Sequence, residues 1–276
     1  MTDTELETGL YDFTDEQYFA APGLSNSYLW KLISKTPAHA QVKTHSTDAM
    51  DLGSAVHLAV LQPNEGDALI VQGPKDRRGK KWTDAKAKAD DAGQVLLTES
   101  DYNDCMTMRD HVWNNAAIAS ILTGNDVIYE KAAFFEHRGQ QCKLKLDACV
   151  DNVLIDLKTS SDASARGFAQ SVAKYGYHQQ AASYGYGWNK ATSGTGNHPF
   201  VFLVIEKYPP FACAIYELDV VSTREGWASY NAAIEKHIEC TEQKFFPAYP
   251  AEKVLLQLPP YAFQHTNPRN IDLKGI

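Results

Sequence analysis

Asp147, Asp156 and Lys158 are the residues whose types and spacing best suit chemistry in this chain. They lie in the segment KLKLDACVDNVLIDLKT. Asp147 sits on a strand-like stretch, Asp151-Asn152 makes a tight turn, and Asp156 and Lys158 follow two residues apart on a second strand-like stretch. Side chains alternate faces along a strand, so Asp156 and Lys158 project to one side while Leu157 points to the other. Pairing of the two stretches as a hairpin brings Asp147 toward them. Two carboxylates and an ammonium on one sheet face are expensive unless a cation sits between the acids. That arrangement suits holding Mg²⁺ and activating water for phosphodiester hydrolysis. The plain alternative is a salt-bridge cluster, with Lys158 as the only partner of Asp156. Against it, Asp156 is set in VLIDLKT among apolar residues of a mostly buried strand, where a carboxylate needs a partner or a metal.

Three further features bear on that cluster. His57, in GSAVHLAV, lies within an apolar helix whose Gly53, Ser54 and Ala55 permit close backbone approach. A histidine there is ordinarily a hydrogen-bonded core residue, but its imidazole would complete a mixed N/O site suited to Mg²⁺ or Mn²⁺. In YGYHQQAASYGYGW, Gln180 and Tyr184 share a helix face with Tyr177 and Trp188. Such aromatic stripes are usually core. The buried amide of Gln180 nevertheless needs partners, and can orient a catalytic group or contact a phosphate. The densest basic run, 75–88, carries seven Lys or Arg around Trp82. It reads as a solvated, mobile surface loop. Beside a nuclease-like site, Lys80, Lys81 and Trp82 become candidates for gripping a nucleic-acid backbone.

The elements that must position these residues follow from periodicity. Ser25 caps an expected helix over SYLWKLISK, with Tyr28, Leu29, Leu32 and Ile33 as its apolar stripe, ended by Pro37. A second helix runs from about Ala49 and stops at Pro63-Asn64. After the basic loop, Thr98 caps a helix with Asp101 in a capping-box position and Met106, Val112, Ala116, Ile118 and Ile121 as buried positions. Strands follow over Tyr129–Glu136, Lys143–Val150 and Val153–Lys158, with turns at His137-Arg138-Gly139 and Asp151-Asn152. A helical region spans about Ala163–Lys190, broken near Gly176. PFVFLVIEK and FACAIYELDV form a hairpin around Pro209-Pro210, and REGWASYNAAIEKHIECTEQ is a long amphipathic helix. The expected architecture is mixed α/β: one domain over 18–245 with a central mixed β-sheet flanked by helices, a polar leader over 1–17, and a proline-rich tail over 246–276 that wraps the body or a neighbouring subunit.

The 276 residues suffice for a sizeable core, and the formal net charge is -8. Net charge governs solubility while local patches decide binding, so it does not exclude a nucleic-acid partner. No apolar run approaches membrane-spanning length, and the N-terminus is acidic rather than signal-like; a cytoplasmic location is expected. The five cysteines are scattered without a CxxC pair, which argues against a zinc site or disulfide framework. Cys142 and Cys149 read as small buried hydrophobes.

Taken in order, GSAVH, YEKAAFF, KLKLDACV, IDLKTS and YHQQAASYGYGW make the chain resemble the PD-(D/E)XK nuclease superfamily. Within its RecB-like branch, the likeness is to the RecE (exonuclease VIII) C-terminal nuclease domain and its phage relatives. LSNSYLWKLISKTPAHA resembles their N-terminal pattern. The resemblance spans roughly Tyr18 to Glu242 and implies a restriction-endonuclease-like αβββαβ core. It further implies that His57, Asp147 and Asp156 are metal ligands together with the Leu157 carbonyl. Lys158 would then position water or stabilise the transition state, with Gln180 and Tyr184 as the Q-x-x-x-Y element. Glu130 matches an acidic position that serves a second metal or orients DNA. Arg166 and Lys31 are DNA-binding candidates by charge and motif proximity. The implied activity is Mg²⁺-dependent resection of linear double-stranded DNA ends, 5′ to 3′, leaving 3′ single strands. The implied partners are a single-strand annealing protein and further copies in a trimeric or tetrameric ring, in a bacterial cell, with a bacterial or phage origin. The alternatives are a non-catalytic DNA-end-binding protein of the same fold and a RecB-like endonuclease. The iron-sulfur RecB-like nucleases are disfavoured, because no cysteine follows Cys240.

Overall fold

A computed structural model describes residues 6–43, 47–196, 198–259 and 262. Before the central strands come β1 (Gly9–Tyr11), α1 (Asp15–Ala20), β2 (Leu24–Ser25), α2 (Asn26–Ser34), α3 (Pro37–Ala40), α4 (Asp48–Leu61) and α5 (Pro63–Leu69). They continue with β3 (Ile70–Gln72), α6 (Lys80–Asp91), β4 (Val95–Leu97), α7 (Glu99–Asn114) and α8 (Ala116–Ala119). The central elements are β5 (Val127–His137), β6 (Gln140–Val150), β7 (Val153–Ser160), α9 (Ala165–Tyr175), α10 (Tyr177–Ala191), β8 (Phe200–Glu206), β9 (Cys213–Glu217) and α11 (Val220–Glu242).

Seven strands form one mixed sheet in the order β1-β5-β6-β7-β8-β9, with β2 added on β6. β5, β6 and β7 run antiparallel, and β7 pairs with β8 in parallel through the α9–α10 crossover. The expected α/β class and the β8–β9 hairpin are both present. Both tight turns place residues at positive φ, Arg138 (52°) with Gly139 (72°) and Asp151 (45°) with Asn152 (72°), as two-residue hairpin turns of this twist demand.

The sheet is covered on both faces. On one face, Leu29 of α2, Phe168 of α9, Ala181 and Trp188 of α10, and Tyr230 and Ile234 of α11 pack with Leu144, Leu146 and Leu154. On the other, Ala55, Val56, Ala59 and Val60 of α4 and Met108 and Val112 of α7 pack with Ile155, Leu157 and Leu203. Trp113 Nε1 donates to the Val60 carbonyl at 3.2 Å and ties α7 to α4. Cys142 and Cys149 are buried free thiols. No helix of the described residues is long and apolar enough to cross a membrane.

Several expectations are corrected. The basic run is not a loop throughout: Lys80–Asp91 is helix α6, because its Lys and Ala residues are good helix formers and Lys86 pairs with Asp90 one turn on. Arg77, just before it, is pinned to Asp48, Asp51 and Asp101. The helices before Pro37 and Pro63 stop as expected, at Ser34 and Leu61, and each proline also opens a new helix at its first turn, where a missing N–H is harmless. Ala116 is exposed: Asn115 ends α7 and caps α8, so the apolar stripe of α7 runs through Cys105, Met108 and Val112 instead. Part of the leader joins the sheet, with Gly9, Leu10 and Tyr11 paired to Phe134, Ala133 and Ala132. The tail touches the body where the Pro247 carbonyl accepts the Ala38 N–H at 3.1 Å; its residues 260, 261 and 263–276 lie outside the described residues.

α11 reaches the start of α10 only because residue 226 is glycine. A Cβ built there lies 2.0 Å from the His178 carbonyl oxygen, one short step from Gln180. Gly226→Ala is therefore expected to destabilise the fold by about 1–3 kcal/mol. Urea unfolding checks this, and a midpoint equal to wild type would show that the two helices are free to separate.

Candidate active site

The site forms where β6 and β7 part. Their ladder runs Val150↔Val153, Cys149↔Leu154, Ala148↔Ile155 and stops. The next facing positions are Asp147 and Asp156. Instead of a backbone pair, the Asp147 carboxylate enters the gap and its Oδ2 accepts the Leu157 N–H at 2.7 Å. On the other side, β5 and β6 pair Tyr129 with Ala148 and Lys131 with Leu146, skipping Glu130, which faces Asp147. Glu130 has φ 48°, left-handed backbone that a glutamate adopts at a cost of about 1–3 kcal/mol. The alternation of β6 changes phase here: Leu144 and Leu146 pack on the α10 side, Ala148 and Val150 on the α4 side. Three adjacent strands thus present three carboxylates in one row, Glu130, Asp147 and Asp156.

Each side chain is held from a different element. His57 of α4 brings Nδ1 to 3.4 Å from Asp147 Oδ2. Ligand atoms of His57, Glu130 and Asp147 all lie within 4.8 Å of one another. Asp156, only 2% exposed, lies beside this trio rather than within it. Its Oδ1 accepts from Gln180 Nε2 at 2.5 Å, and its Oδ2 is held by the Lys158 ammonium in an ion pair. The Lys158 ammonium also lies 4.7 Å from the centre of the Tyr177 ring, a cation–π contact. Tyr184, one turn beyond Gln180, packs edge-on to Phe200. Glu130 pairs at 3.0 Å with Lys145, which also pairs with Asp15 of α1.

The electrostatics reflect crowding of acids in a narrow, largely buried gap. Burial pushes the Asp156 carboxyl up to about 6, and the Asp147 charge adds to the rise against the pull of Lys158. Glu130 is raised by burial and by Asp147. Asp147 moves the other way: burial would raise it, but His57, Lys158 and the Leu157 N–H hold it below its ordinary value. Burial disfavours the His57 cation, yet Asp147 overrides this and the net shift is upward. Lys158 likewise resists burial through Asp156 and Asp147 and is raised, so its ammonium stays charged. Burial lifts the Tyr184 phenol well above its ordinary value, which keeps it neutral.

This donor set fits a hard divalent cation. Carboxylate oxygens and one imidazole converge within a few ångströms, and two of the acids, Glu130 and Asp156, are destabilised as anions. The Leu157 N–H is spent on Asp147, an orienting contact that alternation alone does not reveal. Lys145 as partner of Glu130 and Tyr177 under Lys158 were also missed, although the KLKLD alternation and the helix face containing Tyr177 carried the signal. Among the described residues, no hydrogen bond or ion pair joins Lys80, Lys81 or Arg166 to the site carboxylates. Lys80 and Lys81 are exposed in the first turn of α6, Trp82 stacks under Arg77 at 5.3 Å, Arg166 is exposed in α9, and Lys31 is half-buried in α2.

The family model described as "PDDEXK-like domain of unknown function (DUF3799)" matches residues 27–256. The chain belongs to that family. No curated protein matches it. Among solved structures, this PDDEXK-like chain is similar to one described as a "Putative exonuclease" from Eubacterium rectale. The TM-score is 0.63 at 14% identity, over 92% of this chain and 97% of that one, a likeness of fold. SSO0001 aligns at TM-score 0.29 and 15% identity over 75% of this chain and 84% of that chain, too weakly to carry an argument. The αβββαβ core expected from the resemblance is present in this chain: α4, then β5, β6 and β7, then α9–α10, then β8.

Proposed function

We propose that this protein is a divalent-metal-dependent nuclease that hydrolyses DNA phosphodiester bonds, working inward from the ends of linear duplex. The observation that carries the reading is the row of Glu130, Asp147 and Asp156 at the parting of β6 and β7, with Lys158 and His57 beside it. His57, Glu130 and Asp147 would hold the cation, with Asp156 and the Leu157 carbonyl completing the set. Mg²⁺ or Mn²⁺ bound there supplies Lewis-acid polarisation of the phosphate and a more acidic water.

The chain's own residues do the rest. Gln180 fixes the rotamer of Asp156, and the Leu157 N–H fixes that of Asp147, so both carboxylates are oriented before substrate arrives. Lys158 stays an ammonium, so its role is to stabilise negative charge on the phosphate oxygens and not to remove a proton. Packing of α4 and α10 on opposite faces of β7 keeps the gap narrow. The resemblance to RecE-type nucleases supports the finer reading: 5′-to-3′ resection, a ring of three or four copies, and an annealing protein as recipient of the 3′ strand.

Digestion of linear and covalently closed circular duplex tests this directly. Linear duplex is expected to be degraded with Mg²⁺ and untouched in EDTA, while closed circles survive. Cutting of closed circles would make the protein an endonuclease. Intact linear DNA after incubation with folded, metal-loaded protein would sink the nuclease reading.

A further inference from the structure

Beyond Lys158, β7 continues through Thr159 and Ser160 to the edge of a small cavity of about 80 Å³ that the cleavage chemistry does not use. Its walls come from β7, the loop after it, one face of α9, the first residue of α10 and the residue following β8. The lining carries two lysines, Lys158 and Lys207, and no carboxylate. In a chain of net charge -8, a recess whose only charged lining side chains are lysines is a selective feature.

Asp156 is already paired with Lys158, and two further nearby acids are engaged by backbone N–H groups. Glu206 accepts the Ala163 N–H at 3.0 Å, and Asp162 accepts the Ser164 N–H at 2.8 Å. Lys207 is anchored by its backbone, whose N–H donates to the Ser160 carbonyl at 2.9 Å. Its ammonium has no ion-pair or hydrogen-bond partner among the described residues, nor has the Ser161 hydroxyl. Two free donors and one shared ammonium therefore surround a space that admits a tetrahedral anion and is too small for a nucleoside. Tyr175, also in the lining, is 50% exposed; its ring lies 5.7 Å from that of Tyr177, the ring beneath Lys158, and carries the Lys174 ammonium 5.0 Å from its centre. An exposed aromatic next to an anion recess is the pairing by which proteins hold a nucleotide, with phosphate in the recess and base or sugar against the ring.

We infer that this cavity is a phosphate subsite for the strand being cut, in which Lys207 and Ser161 hold a phosphate group next to the scissile one. Lys158 is shared between the two positions, on one side facing the carboxylates and on the other lining the recess. The inference rests on the nuclease reading for the identity of the strand, though not for the anion chemistry of the recess. The phosphate is either the monoester at a strand end or an internal diester one nucleotide away.

The test is binding without cleavage. Fluorescence anisotropy in EDTA measures the full chain against a short labelled duplex bearing a 5′-phosphate, a 3′-phosphate or no terminal phosphate. Lys207→Ala, with Ser161→Ala as second variant, is expected to weaken binding about tenfold and to flatten the salt dependence by about one phosphate contact. Loss confined to one phosphorylated probe identifies a terminal monoester at that end. Equal loss on all three identifies an internal diester. Wild-type affinity of both variants for every probe, or no binding of any probe by the wild-type chain, overturns the subsite. Because no metal or turnover is involved, a wild-type chain that binds phosphate through Lys207 yet cuts nothing would refute the nuclease reading alone.

Discussion

Asp147→Asn is expected to lower phosphodiester cleavage by about 10³-fold, and Lys158→Met by about 10²–10³-fold, for different reasons that metal binding separates. The asparagine still offers an oxygen to the Leu157 N–H, so the gap between β6 and β7 keeps its shape. What disappears is the charge that faces His57 at 3.4 Å and completes the donor trio with Glu130. Mg²⁺ or Mn²⁺ affinity by calorimetry should fall by about 10- to 100-fold or more together with the activity. Lys158→Met removes no ligand. It takes a cation from beside Asp156 and Asp147, so metal affinity should hold or rise while cleavage is lost. The methionine keeps the stem against Tyr177, which limits the packing change. Equal loss of metal binding in both variants would mean that Lys158 organises the site instead of acting on the substrate. Undiminished cleavage in Asp147→Asn would remove the carboxylate row from the mechanism altogether.

How far the sequence foretold this site depends on whether alternation holds. Asp156 and Lys158 obey it, two apart on β7, and their ion pair follows from spacing alone. Gln180 was visible as an amide stranded in an aromatic helix face, and it is Asp156 that satisfies it. Asp147 was placed correctly on β6, but its contact with the Leu157 N–H arises because the ladder ends at Ala148↔Ile155, and a strand pattern does not announce where pairing stops. Glu130 enters the cluster through a left-handed φ that no propensity assigns to glutamate in a strand. Short elements were illegible for another reason. β1, β2, β3 and β4 have three residues or fewer, below the length at which a period of two can be recognised, and they exist because longer neighbours offer them an edge. The parallel pairing of β3 with β4 joins residues separated by the whole of α6, so it was hidden once the basic run was read as a loop. Charge drew attention to that run and concealed its helix-forming Ala and Lys residues.

The metal-free protein is expected to lose stability as pH rises from about 4 to about 6, and a bound divalent cation is expected to restore it. The sign follows from each group in turn. Asp156 has its folded pKa raised from 3.8 to about 6, so the folded state holds a proton that the unfolded chain has released. Folding is therefore penalised progressively through that window, by ~3 kcal/mol once both states are ionised. Glu130, also raised, pushes in the same direction just above its ordinary range. Asp147 is lowered, so its stabilising contribution is present above pH 3.8 and fades only below it. His57 is raised, so its contribution is present below pH 6.5 and is lost as pH rises through its folded value. Between pH 4 and 6 the dominant change is thus the cost of ionising buried Asp156 beside Asp147. A divalent cation binds the ionised carboxylates and offsets that cost, so the rise in Tm on adding Mg²⁺ should be larger at pH 7.5 than at pH 5. Asp156→Asn removes the ionisation, and its metal-free melting curve should lack the decline across this window. Parallel pH profiles for the variant and wild type would show that Asp156 is already relieved by Lys158 and Gln180, and the argument that its burial calls for a metal would fall.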